Sequence, residues 1–381
     1  MAYLCYGIKL IYELGGKFLI MTATLPPMIS SYLKREGVPF IEKTFIDLNA
    51  GIRHILKMHE SSSENFSLDA PLILKQAKEK KVLVLCNTVK KAQEVYRELI
   101  VLSDDGSVPI HLLHSRFIKK HRAELEKEIL SFAKNGKIGG NGIWVSTQIV
   151  EASLDIDFDV LHTEMCPVDS LFQRMGRCYR SRTLEGAEPN IYIYPTQNGS
   201  GTIYDEEIYN RSLEVVAAYE DVALSEVDKM QMVKEVYDEE VLKTSKYYQT
   251  FKRALDELKE IQPGIFSTRE GDYLFREINT ITVLPDAVLE EVGVGCIEEY
   301  LSVMRDRDCS FKERHEAKQA LLDLTTTLTL YGRLPKGVDR GVIDDGSLNI
   351  HRTTLKYDYD PIEKKGLGLV LGEFEEDDQF I

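Results

Sequence analysis

The sequence predicts an α/β protein built on a parallel sheet, followed by a helical stretch and a mixed terminal region. Three observations carry this. Between Lys81 and Pro195, β-rich runs recur as VLVLC (82–86), IHLL (110–113), IWVS (143–146), DVLH (159–162) and IYIY (191–194). Helical patterns fill the first intervals: Val89, Ala92, Tyr96 and Leu99 share one face, and Ile118, Leu125, Ile129 and Phe132 share another. Each interval is long enough for the right-handed crossover that parallel neighbours require.

Taken in order, residues 1–49 hold a helix-like stretch before Gly15-Gly16, the apolar run FLIM (18–21), TATLPP, and a second helix-like stretch ending near Gly37. One strand with flanking helices is too little for a domain, and its neighbours should lie in a sheet formed elsewhere. Residues 50–70 read as a linker because of the polar run SSSENFSLD (61–69). Residues 71–196 form the α/β domain. Residues 197–381 read as a helical connector and a mixed accessory domain. Ile208, Val215, Tyr219 and Val222, then Tyr248, Phe251, Leu255 and Leu258, mark its helices; INTITVLP (278–285) and Tyr357–Val370 are strand-like.

With 381 residues and 43% hydrophobic content, the chain can bury a large core and fill two domains. Its six cysteines, Cys5, Cys86, Cys166, Cys178, Cys296 and Cys309, are scattered without a CxxC pair, which counts against a disulfide framework or structural zinc and fits a reducing cytoplasm. Lys9, Glu13 and Lys17 interrupt the apolar opening and no cationic leader precedes it, so it reads as buried structure with no membrane partner. A formal charge of -15 opposes nucleic-acid binding over the whole surface. The acid is uneven, however: EFEEDD (373–378) and 221–240 are acidic, while RFIKKHR (116–122) is basic. Taken alone, that basic run is a solvated helix start.

Two stretches carry candidate chemistry. In QRMGRCYR (173–180), two arginines on one helix would present guanidinium forks toward one point, which suits a phosphate whose charge grows during transfer; ordinary surface arginines are the plain alternative. In VSTQIVEASLDIDFDVL (145–161), a buried strand ends in Ser146-Thr147-Gln148, at the strand edge where α/β folds bind ligands. Asp155, Asp157 and Asp159 follow at every second position and are not expected to face one site together; capping or loop solvation accounts for at least one.

TATLP (22–26), VLVLCNT (82–88), LLHSRF (112–117), the 145–161 stretch and QRMGRCYR stand in the order of superfamily 2 helicase motifs. They resemble motifs three, four, an intervening DNA-contact motif, five and six. LLHSRF with STQIVEASLDIDFD resembles the CRISPR-associated type I helicase-nuclease, the Cas-three family, and not the DEAD-box branch, whose fifth motif has arginine where Ala152 or Ser153 stands.

This resemblance implies a second RecA-like helicase domain at 71–196, a remnant of the first RecA-like domain at 1–49, and ATP-dependent single-strand DNA translocation in type I CRISPR interference. Arg177 and Arg180 would be arginine fingers for the γ-phosphate. Gln173 and Arg174 would support nucleotide and domain interface, and Asp155 would meet the ribose. His114, Ser115, Arg116 and Thr147 would lie on the DNA track, extended electrostatically by Lys119, Lys120 and Arg122. Thr22, Ala23 and Thr24 would couple hydrolysis to domain closure.

The departures shape the functional expectation. No GxxxxGK[ST] loop is present, and Gly15-Gly16-Lys17 opens a strand where a phosphate cradle needs a helix. Asp205-Glu206, Asp238-Glu239 and Asp256-Glu257 sit in helix-like acidic contexts unlike a DExH box, and no His-Asp dipeptide suggests the family's metal nuclease. The sequence therefore reads as starting just after the DExH box. ATP and Mg2+ are expected only in the complete helicase, neither being held by this chain alone, and no metal site is expected here. The implied partners are the missing N-terminal helicase half, on the same or a separate polypeptide, single-stranded DNA and the CRISPR surveillance complex. A non-catalytic module that binds DNA or that complex uses the same residues, and a degenerate product with idle motifs is a third reading.

Overall fold

A computed structural model describes the chain apart from residues 47–50, 60–67, 104–105, 107, 135–138, 152–153, 197, 261–278, 331–333, 340–342, 345–347 and 373–381. The acidic EFEEDD run, most of the SSSENFSLD run and the Ala152-Ser153 pair lie outside the described residues.

Seven strands form the main sheet: β1 (His54–Met58), β2 (Lys81–Leu85), β3 (Ile110–Leu113), β4 (Gly142–Ser146), β5 (Val160–Glu164), β6 (Ile191–Tyr194) and β7 (Ala223–Leu224). Their order is β3-β4-β2-β5-β6-β1-β7, parallel throughout except for β7, which pairs antiparallel to β1. Every residue of β2, β4 and β5 is buried. That is why these strands read as unbroken apolar runs: helices cover a parallel sheet on both faces. The crossovers include α3 (Ala70–Ala77), α4 (Val89–Leu102), α5 (Lys119–Phe132) and α6 (Val168–Met175). Ala92, Tyr96 and Leu99, and likewise Ile118, Leu125 and Ile129, are buried as their periodicity predicts.

Two boundaries differ from expectation. The stretch 50–70, read as a linker, contributes β1, which lies between β6 and β7 with Leu56 opposite Ile191. HILKM is short and carries a lysine, and its partners are remote in sequence, so nothing local marks it as a strand. The run FLIM, read as a strand, is in neither helix nor strand. Phe18 and Ile20 lean on the core, whereas Leu19 and Met21 are 81% and 85% exposed. An extended apolar segment becomes a strand only when a neighbour takes its backbone hydrogen bonds.

The N-terminal helices α1 (Ala2–Glu13) and α2 (Pro27–Arg35) pack on helices instead of on a sheet remnant. The connector comprises α7 (Glu206–Ala217), α8 (Glu226–Val236), α9 (Glu239–Leu242) and α10 (Lys246–Glu260). Tyr32 meets Phe251 edge to face at 6.4 Å, Lys9 bonds Glu36 at 2.5 Å, and Arg35 pairs with Glu239 of α9.

The accessory region holds α11 (Asp286–Val292), α12 (Val294–Arg305) and α13 (Phe311–Asp323) beside a mixed sheet. That sheet is ordered β10 (Ile343–Asp344), β11 (Asn349–Thr353), β8 (Asn279–Pro285), β9 (Thr326–Leu330). Ile118, at the head of α5, is buried in this region's own core with Leu284, Val288, Leu321 and Ile350. A final hairpin, β12 (Tyr357–Asp360) and β13 (Lys365–Leu369), folds back over the β3 edge. Gln93 Nε2 donates to the carbonyls of Leu367 and Leu369 at 2.6 and 3.1 Å, and Leu369 N–H donates to the Arg116 carbonyl at 3.0 Å. Gly368 has φ +63, and a Cβ there would stand 3.0 Å from the Arg116 oxygen and the His114 ring, so the close approach requires glycine.

Candidate functional site

Because the strands are parallel, the sheet has one edge of strand starts and one of strand ends, and the predicted residues divide between them. Helix α6 leaves the end of β5 through Pro167, its Asp169 and Arg174 placed favourably for the helix dipole. It runs back along the sheet and stops at Gly176. Residues 177–182 then cross the starts of β5 and β1. Phe158 N–H donates to the Arg177 carbonyl at 2.9 Å, Tyr179 N–H donates to the Phe158 carbonyl at 3.1 Å, and His54 Nε2 lies 2.8 Å from the Cys178 carbonyl.

Arg177 and Arg180 therefore do not share a helix. The helix ends at Met175, and Tyr179 turns through φ 48. Their side chains nevertheless converge on one short loop. Arg177 donates to the carbonyls of Glu151 and Leu154, and Arg180 Nε lies 3.0 Å from Asp155 Oδ1. The Arg180–Asp155 pair is exposed, with 39% and 63% of the side chains open to solvent, so it adds little stability. Arg177 is 9% exposed, and its Nε is buried without a hydrogen-bond partner among the described residues. Burial, and then the nearby Arg180 charge, lowers its pKa from the ordinary arginine value. Two adjacent cations and an unspent donor make an environment that an anion would relieve. Gln173 is exposed one turn earlier.

The three aspartates do not all face one site, as expected, but two of them do. Asp157 and Asp159 both hold Arg182, at 2.7 Å each, and only Asp155 stands apart. In extended backbone, positions two apart share a face, so alternate spacing brings these two together. Arg182 also stacks on Tyr179 at 4.3 Å.

Arg174 lies inside the domain, with no exposed surface. All five of its N–H donors are used: Nε to Glu151, Nη1 to Thr163 Oγ1 and the Glu164 carbonyl, Nη2 to Asn87 Oδ1 and Tyr204 Oη, at 2.8–3.1 Å. Glu164 accepts from Asn87 N–H at 2.5 Å and from the Asn198 amide at 3.0 Å; burial raises its pKa, which those two donors oppose. Arg174 thus acts as an internal post joining α6, β5 and the loop after β2. Its guanidinium, expected to support a nucleotide, is spent on the domain's own groups.

At the opposite edge stand the ends of β3 and β4. Ser146 Oγ donates to the Leu113 carbonyl at 2.6 Å, locking the two ends side by side, and Thr147 is 4% exposed. His114 is fully buried. Its Nε2 lies 3.1 Å from the Leu367 carbonyl, its ring stacks on Phe117 at 4.6 Å, and burial, then the Arg116 charge, pushes its pKa down to about 3. The hairpin therefore removes His114 from the surface expected of a DNA contact. The Ser115 carbonyl accepts from Thr326 Oγ1 at 2.9 Å, and His121 is held by Tyr357 Oη at 2.9 Å. Of the basic run, Lys120 is exposed, Arg116 and Lys119 are half-buried, and Arg122 lies 3.4 Å from Glu126. Thr22 and Ala23 are exposed and Thr24 half-buried; Thr22 Oγ1 caps Thr24 N–H at 3.1 Å just before α2.

Sequence reasoning missed Asn87, Glu164, Asn198 and Tyr204, whose roles depend on contacts between remote segments; only Asn87, directly after an apolar strand, carried a local signal. Among the described residues no three His, Cys, Asp or Glu side chains gather as a metal site, and no helix is long and apolar enough to cross a membrane.

Residues 78–183 match the family of the CRISPR-associated nuclease/helicase Cas3, C-terminal region. The CRISPR-associated nuclease/helicase Cas3 of Methanothermobacter thermautotrophicus is 33% identical over 249 residues, covering 61% of this chain and 29% of that protein. The chain thus spans under a third of that relative. The crystal structure of T. fusca Cas3 superposes with a TM-score of 0.61 over 81% of this chain and 40% of its own length, at 17% identity, a likeness of fold. A CRISPR RNA-guided surveillance complex in a pre-nicking state contains a chain matching 86% of this one, with a TM-score of 0.55 and 17% identity.

Proposed function

Because residues 78–183 are a Cas3-like C-terminal domain, we propose that the chain is the second-domain half of an ATP-driven single-strand DNA translocase acting in CRISPR interference. The observation that carries this reading is the division of the sheet. Arg180 and Asp155 meet beside the start of β5, with Arg177 reaching the Glu151 and Leu154 carbonyls next to them, while Ser115, Thr147 and the basic run follow the ends of β3 and β4.

Arg177 and Arg180, with Gln173 and Asp155 beside them, would meet ATP held mainly by a preceding half. When bound there, ATP supplies a γ-phosphoryl group that gains negative charge during transfer. Magnesium would be held by that same half. Arg174 contributes through the fold, and His114 by fixing the loop that presents Ser115 and Arg116. Leu19, Met21, Ile41 and Phe45, 81–90% exposed, mark where the preceding half would cover 1–46 and complete the strand at FLIM. Thr22, Ala23 and Thr24 follow that segment, which suits a coupling role. The CRISPR surveillance complex is proposed as partner from the likeness to Cas3.

Single-strand binding by this chain tests the division. Arg116→Ala weakens binding and lowers the salt slope by about one, because one phosphate contact releases roughly one counterion. Arg177→Ala and Arg180→Ala leave both unchanged. Filter binding across a salt series reads all three variants, and equal loss in all of them would overturn the assignment of the two edges.

A further inference from the structure

Resting on that reading of Arg177 and Arg180, we infer that Arg53, His54 and Lys229 form a bracket that positions the arginine segment toward the nucleotide. The segment 177–182 is a turn held between two neighbours. On one side the Arg177 carbonyl and Tyr179 N–H pair with Phe158, at 2.9 and 3.1 Å. On the other side the Cys178 and Arg180 carbonyls face β1, where they accept from His54 Nε2 at 2.8 Å and from Arg53 Nη1 at 2.9 Å. Tyr179 between them turns through φ 48, and fixing the carbonyls of 178 and 180 on either side of that turn sets its orientation as well as its position.

The bracket is braced in turn. Lys229 Nζ donates to His54 Nδ1 at 3.0 Å and to Glu226 at 2.8 Å, and Arg53 Nη2 reaches the same Glu226 oxygen at 2.5 Å. An ammonium can only donate, so His54 Nδ1 must accept and the ring proton must lie on Nε2, aimed at the Cys178 carbonyl. Burial, then the Lys229 charge, lowers the His54 pKa to about 3, so this tautomer persists through neutral pH. His54 and Lys229 are 1% and 8% exposed, so their polar atoms are taken up within the protein. Among the described residues, the bracket's hydrogen bonds reach the arginine segment through the Cys178 and Arg180 carbonyls. They are positioning residues.

The test uses this chain joined to the nucleotide-binding half. His54→Leu removes the donor to Cys178, His54→Gln places an amide N–H close to the Nε2 position, and Arg53→Ala releases the Arg180 carbonyl from the half-buried side of the bracket. His54→Leu and Arg53→Ala lower kcat for ATP by about 10–100-fold, with KM and single-strand affinity within about two-fold, because an ångström of misplacement is felt mainly at the reacting group. His54→Gln recovers most of kcat. Native kcat in both His54→Leu and Arg53→Ala would overturn the inference. So would parallel losses of kcat, DNA affinity and melting temperature that His54→Gln does not restore, which indicate a purely structural role. Native turnover in Arg177→Ala and Arg180→Ala controls would instead overturn the underlying reading of the arginines.

Discussion

If Arg177 and Arg180 act as proposed, Arg177→Ala and Arg180→Ala are each expected to lower ATP turnover of the chain joined to a nucleotide-binding half by about 10³-fold or more, the scale set by arginines that neutralise a transferring phosphoryl group. The two losses should differ in kind. Arg180 needs only to release the exposed Asp155 carboxylate to reach a new anion, whereas Arg177 must leave two backbone carbonyls and carries an unpaired buried Nε. Arg177→Lys is therefore no rescue: lysine keeps the charge but lacks the planar fork that spans two acceptors. Steady-state ATPase assays at saturating DNA read the effect. Turnover within ten-fold of native in both alanine variants would remove these residues from the chemistry.

Arg174→Leu should destabilise the isolated chain by about 3–5 kcal/mol, the cost of removing one partner from a buried ionic network. The substitution leaves the half-buried Glu151 carboxylate and the Glu164 carbonyl, together with Thr163, Asn87 and Tyr204, without their common donor. Burial raises the pKa of Glu151, with Arg174 the main opposing influence, so loss of the arginine favours protonated Glu151. Urea denaturation followed by circular dichroism measures the shift. A change below about 1 kcal/mol, the range of an exposed pair, would show that Arg174 does not hold these elements together.

The domain legible in the sequence was the one whose pattern is local. VLVLC, IWVS and DVLH read as strands because β2, β4 and β5 are buried on both faces, and the helical faces between them carry their own period. HILKM was illegible for the opposite reason, since it is a strand only through β6 and β7. FLIM has the composition of a strand but no neighbour among the described residues to make it one. At the candidate site, the motifs singled out residues but carried nothing of their orientation. Arg174 and Arg177 are three apart, yet the first is sealed inside and the second ends at the loop carbonyls, a difference set by where α6 stops. His114 looked like a surface contact because its cover, β13, arrives from the far end of the chain.

The central claim is that this chain supplies charge to an ATP site completed by a preceding half. Titrating the chain with a separately expressed N-terminal helicase half, in the presence of ATP, magnesium and single-stranded DNA, tests it most directly. The account predicts no turnover from the chain alone, activity that rises and saturates with the added half, and abolition of that activity by Arg177→Ala. Steady ATP turnover by the chain alone, lost on Arg177→Ala, would contradict it.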